Sequence, residues 1–340
     1  MTLAIRFRAL RCLLSIVALC SAASAAQAQS LTVYGAMGYD EAVVHAFTQA
    51  TGIAVKLVHL STGPLLARVQ AEGSRPQWDV LWFDGNMGMR VIASRHLLDC
   101  GWTPAVDYTA QGEALLPADR CYLPVGMTYA DALLVNTARL APAARPQSWG
   151  DLERPALRGR VGMNNPAISG PAFPMVAGVL QAMGDTAGQS YFSRLKANGL
   201  RVYPTNSVTL RALQFGQIDV AVVQSSAAVG FASKNPALRV VLPQPATALP
   251  SNLAIGVHAV GANRDAARRF VAFVLSPAGQ AALQQGDAEA DSNYMPLVAG
   301  VKPTAAAAAL PAVQVQRLDP TQWGPREAAV DAWFTAHVVR

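Results

Sequence analysis

Along this chain a strand-sized apolar run is repeatedly followed by a break of small and polar residues and then by an apolar stripe at helical spacing. Leu31-Thr32-Val33-Tyr34 ends at Gly35. Asp40 then opens a helix with Val43, Val44 and Phe47 on one face and Gly52 at its end. Residues 53–60 alternate and are rich in β-branched side chains, so they read as a strand. Ser61-Thr62-Gly63-Pro64 follows, and Pro64 suits the first turn of a helix that carries Leu65, Leu66 and Val69. Residues 79–83 form a third strand pattern ending at Asp84-Gly85-Asn86. Strands in this order, with helices between them, dictate a parallel sheet with helices on its faces, because parallel neighbours need a crossover.

The rest of the chain continues in the same style. Residues 132–136 and 160–163 read as strands, and 173–183 as a helix after the polar stretch Asn164 to Pro171. A helix over 207–215, a strand over 218–223 ending at Gln224-Ser225-Ser226, and a strand over 253–257 follow. Helices over 264–275 and 277–285 are divided at Pro277. Residues 303–311 are mostly alanine, and 326–338 places Val330, Trp333, Phe334 and His337 on one helical stripe. No linker-like or repeated segment divides the sequence, so a chain that crosses more than once between two lobes is expected.

Two lobes follow from size and compartment. Arg6, Arg8 and Arg11 precede an apolar run over 13–23, shorter than the roughly 20 residues a membrane span takes. Ala26-Gln27-Ala28 has the form of a signal cleavage site. Residues 1–28 therefore read as a secretory signal peptide, and the mature protein as periplasmic and beginning at Gln29. Its loss leaves 24 basic against 21 acidic residues, a net charge of +3 rather than +6. That excess is unclustered and excludes a nucleic-acid footprint. Cys12 and Cys20 fall within the signal. Cys100 and Cys121 remain, an even pair in an oxidising compartment, and are expected to form a disulfide. The whole sequence is 52% apolar and 14% charged, and 312 residues remain after the signal. They exceed one ordinary core and imply two well-buried lobes of about 150 residues each.

Motifs of catalysis are missing: no H-E-x-x-H, no G-x-S-x-G and no P-loop. The five histidines (45, 59, 96, 258 and 337) are scattered, without metal-ligand spacing. No catalytic residue, metal or cofactor is therefore expected. What recurs is the polar end of each strand. Met37 and Tyr39, Ser61-Thr62-Gly63, Asp84 with Asn86, Ser169-Gly170, Asn206-Ser207 and Gln224-Ser225 each precede or open a helix. In an open α/β sheet these ends line the ligand crevice. Helix N-termini there offer free N–H groups that suit an anion, and glycine lets a ligand approach the backbone. Tyr34 joins the candidate set with Tyr39, as phenols able to cover a ligand and hydrogen-bond it. Trp82, Phe83, Met87 and Met89 read as packing beneath the Asp84 loop.

These residues also carry a resemblance. Leu31 to Tyr34, Trp78-Asp79-Val80, Ser148-Trp149-Gly150-Asp151-Leu152 with Leu157-Arg158-Gly159-Arg160-Val161, Gly216-Gln217-Ile218-Asp219 and Ser276-Pro277-Ala278-Gly279-Gln280 are similar to the periplasmic binding proteins of the ferric iron and 2-aminoethylphosphonate group. The similarity spans essentially the whole mature chain. It implies a type II two-lobe α/β fold, each lobe a mostly parallel sheet flanked by helices and joined by hinge strands. The implied divisions are a first lobe over 29–127, a second over 128–250, a return to the first over 251–295, and C-terminal helices over 296–340 on the second. It further implies a monomer that closes on a small solute and hands it to an ABC permease in the inner membrane. Ferric-binding relatives carry two consecutive tyrosines where this chain has Gln224-Ser225-Ser226. A small anionic solute bearing phosphonate or phosphate is therefore expected, with ferric iron or an iron chelate as the alternative. An enzyme on the same scaffold, using Asp84 or Asp219 as a base, is the reading of another class.

Overall fold

The computed structural model describes residues 30–340, so the signal expected at 1–28 lies outside the described residues together with Cys12 and Cys20. Two sheets organise the chain. In the first, β1 (Ser30–Gly35) pairs in parallel with β2 (Ala54–His59) and β3 (Val80–Asp84). Helices α1 (Asp40–Thr51) and α2 (Thr62–Glu72) make the crossovers, as the hydrophobic period predicts, and α3 (Met87–Ser94) follows β3. Gly52 ends α1 in the left-handed conformation, φ 72°, and donates its N–H to the Thr48 carbonyl, a position that penalises any Cβ.

β4 (Leu123–Tyr129) also lies in the first sheet, and the chain leaves it through Ala130 and Asp131 into β5 (Ala132–Asn136) of the second. There β6 (Val161–Asn164) pairs in parallel with β7 (Arg201–Tyr203) and β8 (Val220–Val223). β5 runs antiparallel to β8 and to β9 (Leu238–Val241). Helices α4 (Ala172–Met183), α5 (Asp185–Ala197), α6 (Asn206–Gln214) and α7 (Ser225–Ala232) belong to this part of the chain. β10 (Ala246–Ile255) re-enters the first sheet between β4 and β3, antiparallel to both. α8 (Gly261–Val274) and α9 (Pro277–Gly286) come next. Short strands β11 (Met295–Pro296) and β12 (Val315–Gln316) then pair with β4 and β10.

Both sheets are thus mixed rather than mostly parallel. The reason is the return path: a chain that leaves a sheet on one strand and comes back on its neighbour must run those two strands in opposite directions. β4 carries Pro124 and Gly126, which weaken any strand pattern read locally. It forms because it is buried between β10 and β11, and Gly126 makes room for Tyr294, whose ring lies 2.4 Å from where a Cβ would stand.

Each lobe has its own core. In the first, Phe47 packs edge-on against Phe270 at 5.1 Å between ring centroids, among Val33, Trp82, Leu253 and Val271. In the second, Val176, Phe192 and Val220 are covered by α10 (Glu327–Phe334), which buries Val330 and Phe334. Asp219, fully buried, is held by Arg160 at 2.5 Å and by Arg139, so it is a structural ion-pair centre and not a base facing a ligand. No helix among the described residues is long and apolar enough to cross a membrane.

Cys100 and Cys121 are joined in a disulfide across 21 positions. Closing a loop of that size in the unfolded chain stabilises by roughly 3 kcal/mol in the chain-entropy view. Urea unfolding with and without reductant is expected to differ by that amount, and identical midpoints would refute it.

Candidate functional site

The ends of the strands in the two lobes face a common cavity of about 530 Å³. Its first-lobe wall comes from Ala36 and Gly38 after β1, from His59 to Thr62 at the turn from β2 into α2, and from Asp84 at the end of β3. The second-lobe wall comes from Ser169 to Pro171 before α4, from Thr205 to Ser207 and Arg211 on α6, and from Gln224 after β8. The turn after α9 adds Asp287, Glu289 and Asp291.

The lobes touch along one edge of this cavity. The Gly63 N–H donates to the Ile168 carbonyl at 3.2 Å. A Cβ on Gly63 would lie 2.2 Å from the Ala167 carbonyl oxygen, and one on Gly170 would lie 2.3 Å from Thr62 Oγ1. Only glycine fits at either position. Gly63 itself faces a second, more apolar cavity of about 430 Å³ beyond this contact.

Two helix starts meet the cavity with their usual caps disengaged. Ser61 and Thr205 stand at the N-cap positions of α2 and α6 in extended backbone, yet neither side chain caps its helix. Elsewhere Ser276, Thr304 and Asp319 in the same position do accept the first-turn N–H. Behind α6 lies a fully bonded amide. Asn164 donates to Ser169 Oγ at 3.2 Å and to Asn206 Oδ1 at 2.5 Å, and accepts from Thr209 Oγ1 at 2.5 Å. The Ser169 hydroxyl already accepts from Asn164, so its own proton is left to donate. Asn206, with its oxygen occupied, offers its N–H groups.

The rest of the wall is acidic. Asp291 Oδ2 accepts the Gly38 N–H at 2.7 Å, and Oδ1 accepts from the Gln224 amide, so this carboxyl bridges the lobes. Burial, opposed by the bond from Gly38 and reinforced by Asp287 and Asp40, raises it to about 6. Burial and then the charge of Asp291 hold Asp84 well above the usual carboxylate range. His59, half exposed, bonds Asp40 Oδ2 at 2.8 Å, and that bond raises its pKa.

Of the residues singled out from sequence, Ser61, Thr62, Asp84, Ser169, Gly170, Asn206, Ser207 and Gln224 line the cavity. Tyr34, Met37, Tyr39, Gly63, Asn86 and Ser225 do not. The Tyr34 hydroxyl donates to Glu72 at 2.7 Å beneath the Arg68 guanidinium, and its side chain is 1% exposed. Tyr39 is equally buried, stacked obliquely on Trp82 at 5.3 Å below the cavity floor, with Met37 in the same core. Both tyrosines are taken by packing, because their positions project into the core and not past the sheet end. Asn86 precedes α3 outside the cavity. Ser225 Oγ accepts the Tyr129 N–H at 2.9 Å and is buried as a brace between β4 and α7. The sequence reading missed His59, Arg211 and the acids at 287, 289 and 291. The alternation Asp287-Ala288-Glu289-Ala290-Asp291 was the one available signal, but nothing local says that this turn folds back over β1.

No tyrosine lines the cavity, and among the described residues no group of three or more His, Cys, Asp or Glu is placed to hold a metal ion. A sequence model of bacterial extracellular solute-binding proteins matches residues 42–315. The chain is 27% identical over 271 residues to the major ferric iron-binding protein of Neisseria meningitidis, covering 77% of this chain and 81% of that one. It is 26% identical over 347 aligned positions, 96% of each chain, to a protein of Salmonella typhimurium provisionally named as 2-aminoethylphosphonate-binding and periplasmic. Among solved structures, the periplasmic binding protein AfuA of Actinobacillus pleuropneumoniae, with fructose-6-phosphate bound, superposes with a TM-score of 0.81 at 20% identity. That alignment covers 92% of this chain and 99% of AfuA. Iron-bound HitA of Pseudomonas aeruginosa gives 0.70 at 23% identity, covering 89% and 98%. The two-lobe periplasmic binding protein fold is therefore the fold of this chain.

Proposed function

Because the chain belongs to the bacterial extracellular solute-binding protein family, we propose that it is the periplasmic capture component of an ABC-type uptake system and that its solute carries a phosphonate- or phosphate-type anion. In this reading the protein performs no chemistry. It works as a monomer in the periplasm, closes its lobes on the solute and presents it to a permease in the inner membrane. The observation that carries the anion is the uncapped start of α6. Thr205 leaves the first-turn N–H groups of Asn206 and Ser207 to be met by something else, and at α2, where the Gly63 N–H goes to Ile168 and Pro64 has none, the Thr62 N–H remains; Ser276 and Thr304, away from the cleft, do cap their helices. Helix starts with free N–H groups favour negative charge. The Ser169 proton and Arg211 add donors on the same wall. The relative named for 2-aminoethylphosphonate supports the phosphonate class. The cavity offers a bare ferric ion no phenolate, which favours an organic anion over the iron named for other relatives.

A thermal-shift screen with phosphonates, sugar phosphates, ferric citrate and polyamines tests this directly. A solute at a hundred times its Kd stabilises by about 2.7 kcal/mol, so a phosphonate or phosphate ester is expected to raise the melting temperature clearly. Ser169→Ala and Thr62→Ala are each expected to weaken its binding roughly tenfold to a hundredfold, since a hydrogen bond to a charged group is lost. If affinity is unchanged while only stability falls, the two residues support their helices and the anion site is elsewhere.

A further inference from the structure

The register of the first sheet sets Gly35 of β1 opposite His59 of β2, and both strands end there. Asp40, the first residue of α1, lays its carboxyl over Gly35: a Cβ on that glycine would stand 2.3 Å from Asp40 Oδ2. The same oxygen meets His59 Nδ1 at 2.8 Å. Asp40 is 1% exposed, and His59 is the only side chain that bonds its carboxyl among the described residues. A carboxylate buried so far is costly unless a positive group meets it, and its place at a helix start favours the ionised form. The imidazole, in contrast, is half exposed on the cavity wall, three residues before the start of α2. Its Nε2 has no partner among the described residues.

Resting on the reading that the cleft takes an anion-bearing solute, we propose that the Asp40–His59 pair is a proton-gated contact for that anion: the protonated ring donates to it from Nε2, and the neutral ring turns it away. With Nδ1–H committed to Asp40, Nε2 is an N–H donor in the imidazolium and a lone-pair acceptor in the neutral ring. Loss of one proton therefore replaces a charged donor with an acceptor facing an anionic oxygen. The bond to Asp40 raises the pKa of His59 against the opposing effect of partial burial, and the charges of Asp40, Glu41 and Asp291 act in the same upward sense. These acids come from α1 and from the turn after α9. Asp84, Asp287 and Glu289 complete the acidic wall of the cavity, and Arg211 is its guanidinium. Asp84 and Asp291, raised chiefly by burial, carry least charge in the acid range in which the ring is protonated. Asp40 touches the ring and not the cavity, so it is a positioning residue that fixes Nδ1 and holds the charge.

Calorimetric titration with methylphosphonate at pH 5.5 and pH 9 compares the unaltered protein with His59→Gln. Both proteins meet the same change in the probe's own charge and in the other acids, so the ratio of their affinities isolates the ring. The unaltered protein is expected to bind at least tenfold tighter at pH 5.5 and about equally at pH 9. A second readout needs no variant: saturating methylphosphonate is expected to move the titration midpoint of the His59 ring resonance to higher pH, by about one pH unit for a tenfold affinity difference. Asp40→Asn is expected to lower that midpoint in the free protein and to carry the fall in affinity to lower pH with it. Equal affinities at both pH values, with an unmoved resonance, overturn the His59 contact and leave the anion reading standing. A deficit in His59→Gln that is the same at both pH values overturns the gate, since the ring then acts by packing alone. Absence of methylphosphonate binding at either pH overturns the anion reading and the contact with it.

Discussion

Gly63→Ala is expected to abolish tight solute binding while leaving the unliganded protein as stable as before. The new methyl would lie 2.2 Å from the Ala167 carbonyl oxygen and 3.0 Å from its carbon, both main-chain atoms with no rotamer to move. It can be accommodated only if the lobes stay further apart and the bond from Gly63 to Ile168 is lost. Forcing such an overlap costs about 1–3 kcal/mol, or roughly tenfold to a few hundredfold in affinity. Within its own lobe the change is harmless: Gly63 lies inside α2, where alanine is preferred to glycine by about 0.5–1 kcal/mol. The melting temperature without solute should therefore hold or rise slightly. Titration calorimetry together with small-angle scattering of the free and solute-saturated protein checks both halves. Wild-type affinity with a wild-type compaction on binding would mean that the lobes close without this contact.

The second large effect is a loss of stability as pH rises. Asp131, where the chain leaves the first lobe, is fully buried and accepts both the N–H and the hydroxyl of Thr247 at 2.8 Å. Burial nevertheless pushes it up to about 8. Glu327 and Asp331 are each raised to about 7, chiefly by burial, and Asp291 to about 6. An unfolded carboxyl titrates near 4. Between about pH 4 and pH 8 the folded chain thus keeps protons that the unfolded chain has released, and stability falls as pH rises through that window. His59, whose pKa is raised by Asp40, acts in the same sense between the unfolded histidine value and its own. The melting temperature is expected to be higher at pH 5.5 than at pH 8. Asp131→Asn, an uncharged mimic of the protonated acid, should reduce the difference by at most about 3 kcal/mol. A melting temperature that climbs from pH 5.5 to pH 8, or an unchanged slope in the Asn variant, would falsify this assignment.

Local pattern was enough to read the first three strands and two helices, because each buries one face at its own period and is bounded by its own punctuation, as at Gly52. It was not enough for β4, where Pro124 and Gly126 obscure a strand whose stability comes from β10 and β11 on either side. The rule that strand ends line a crevice found the hydroxyl and amide wall. It could not show that Tyr34 and Tyr39 are buried off the main cavity, because nearness to a strand end does not say which way a side chain projects. The acidic wall was out of reach for another reason. Gly38 and Asp291 meet across 253 positions of sequence, and a contact of that range leaves no periodic trace at either end.

The bond between Gly63 and Ile168 joins two backbones and engages no side chain of either lobe. Drift in the neighbouring side chains leaves it in place. The polar groups that line the cavity lie on other positions, at Ser169, Asn206, Asp84 and Asp291. Under the proposed solute-capture role, the choice of solute and the closing of the lobes are therefore separable traits. The walls can be rewritten by substitution while the backbone clasp is kept.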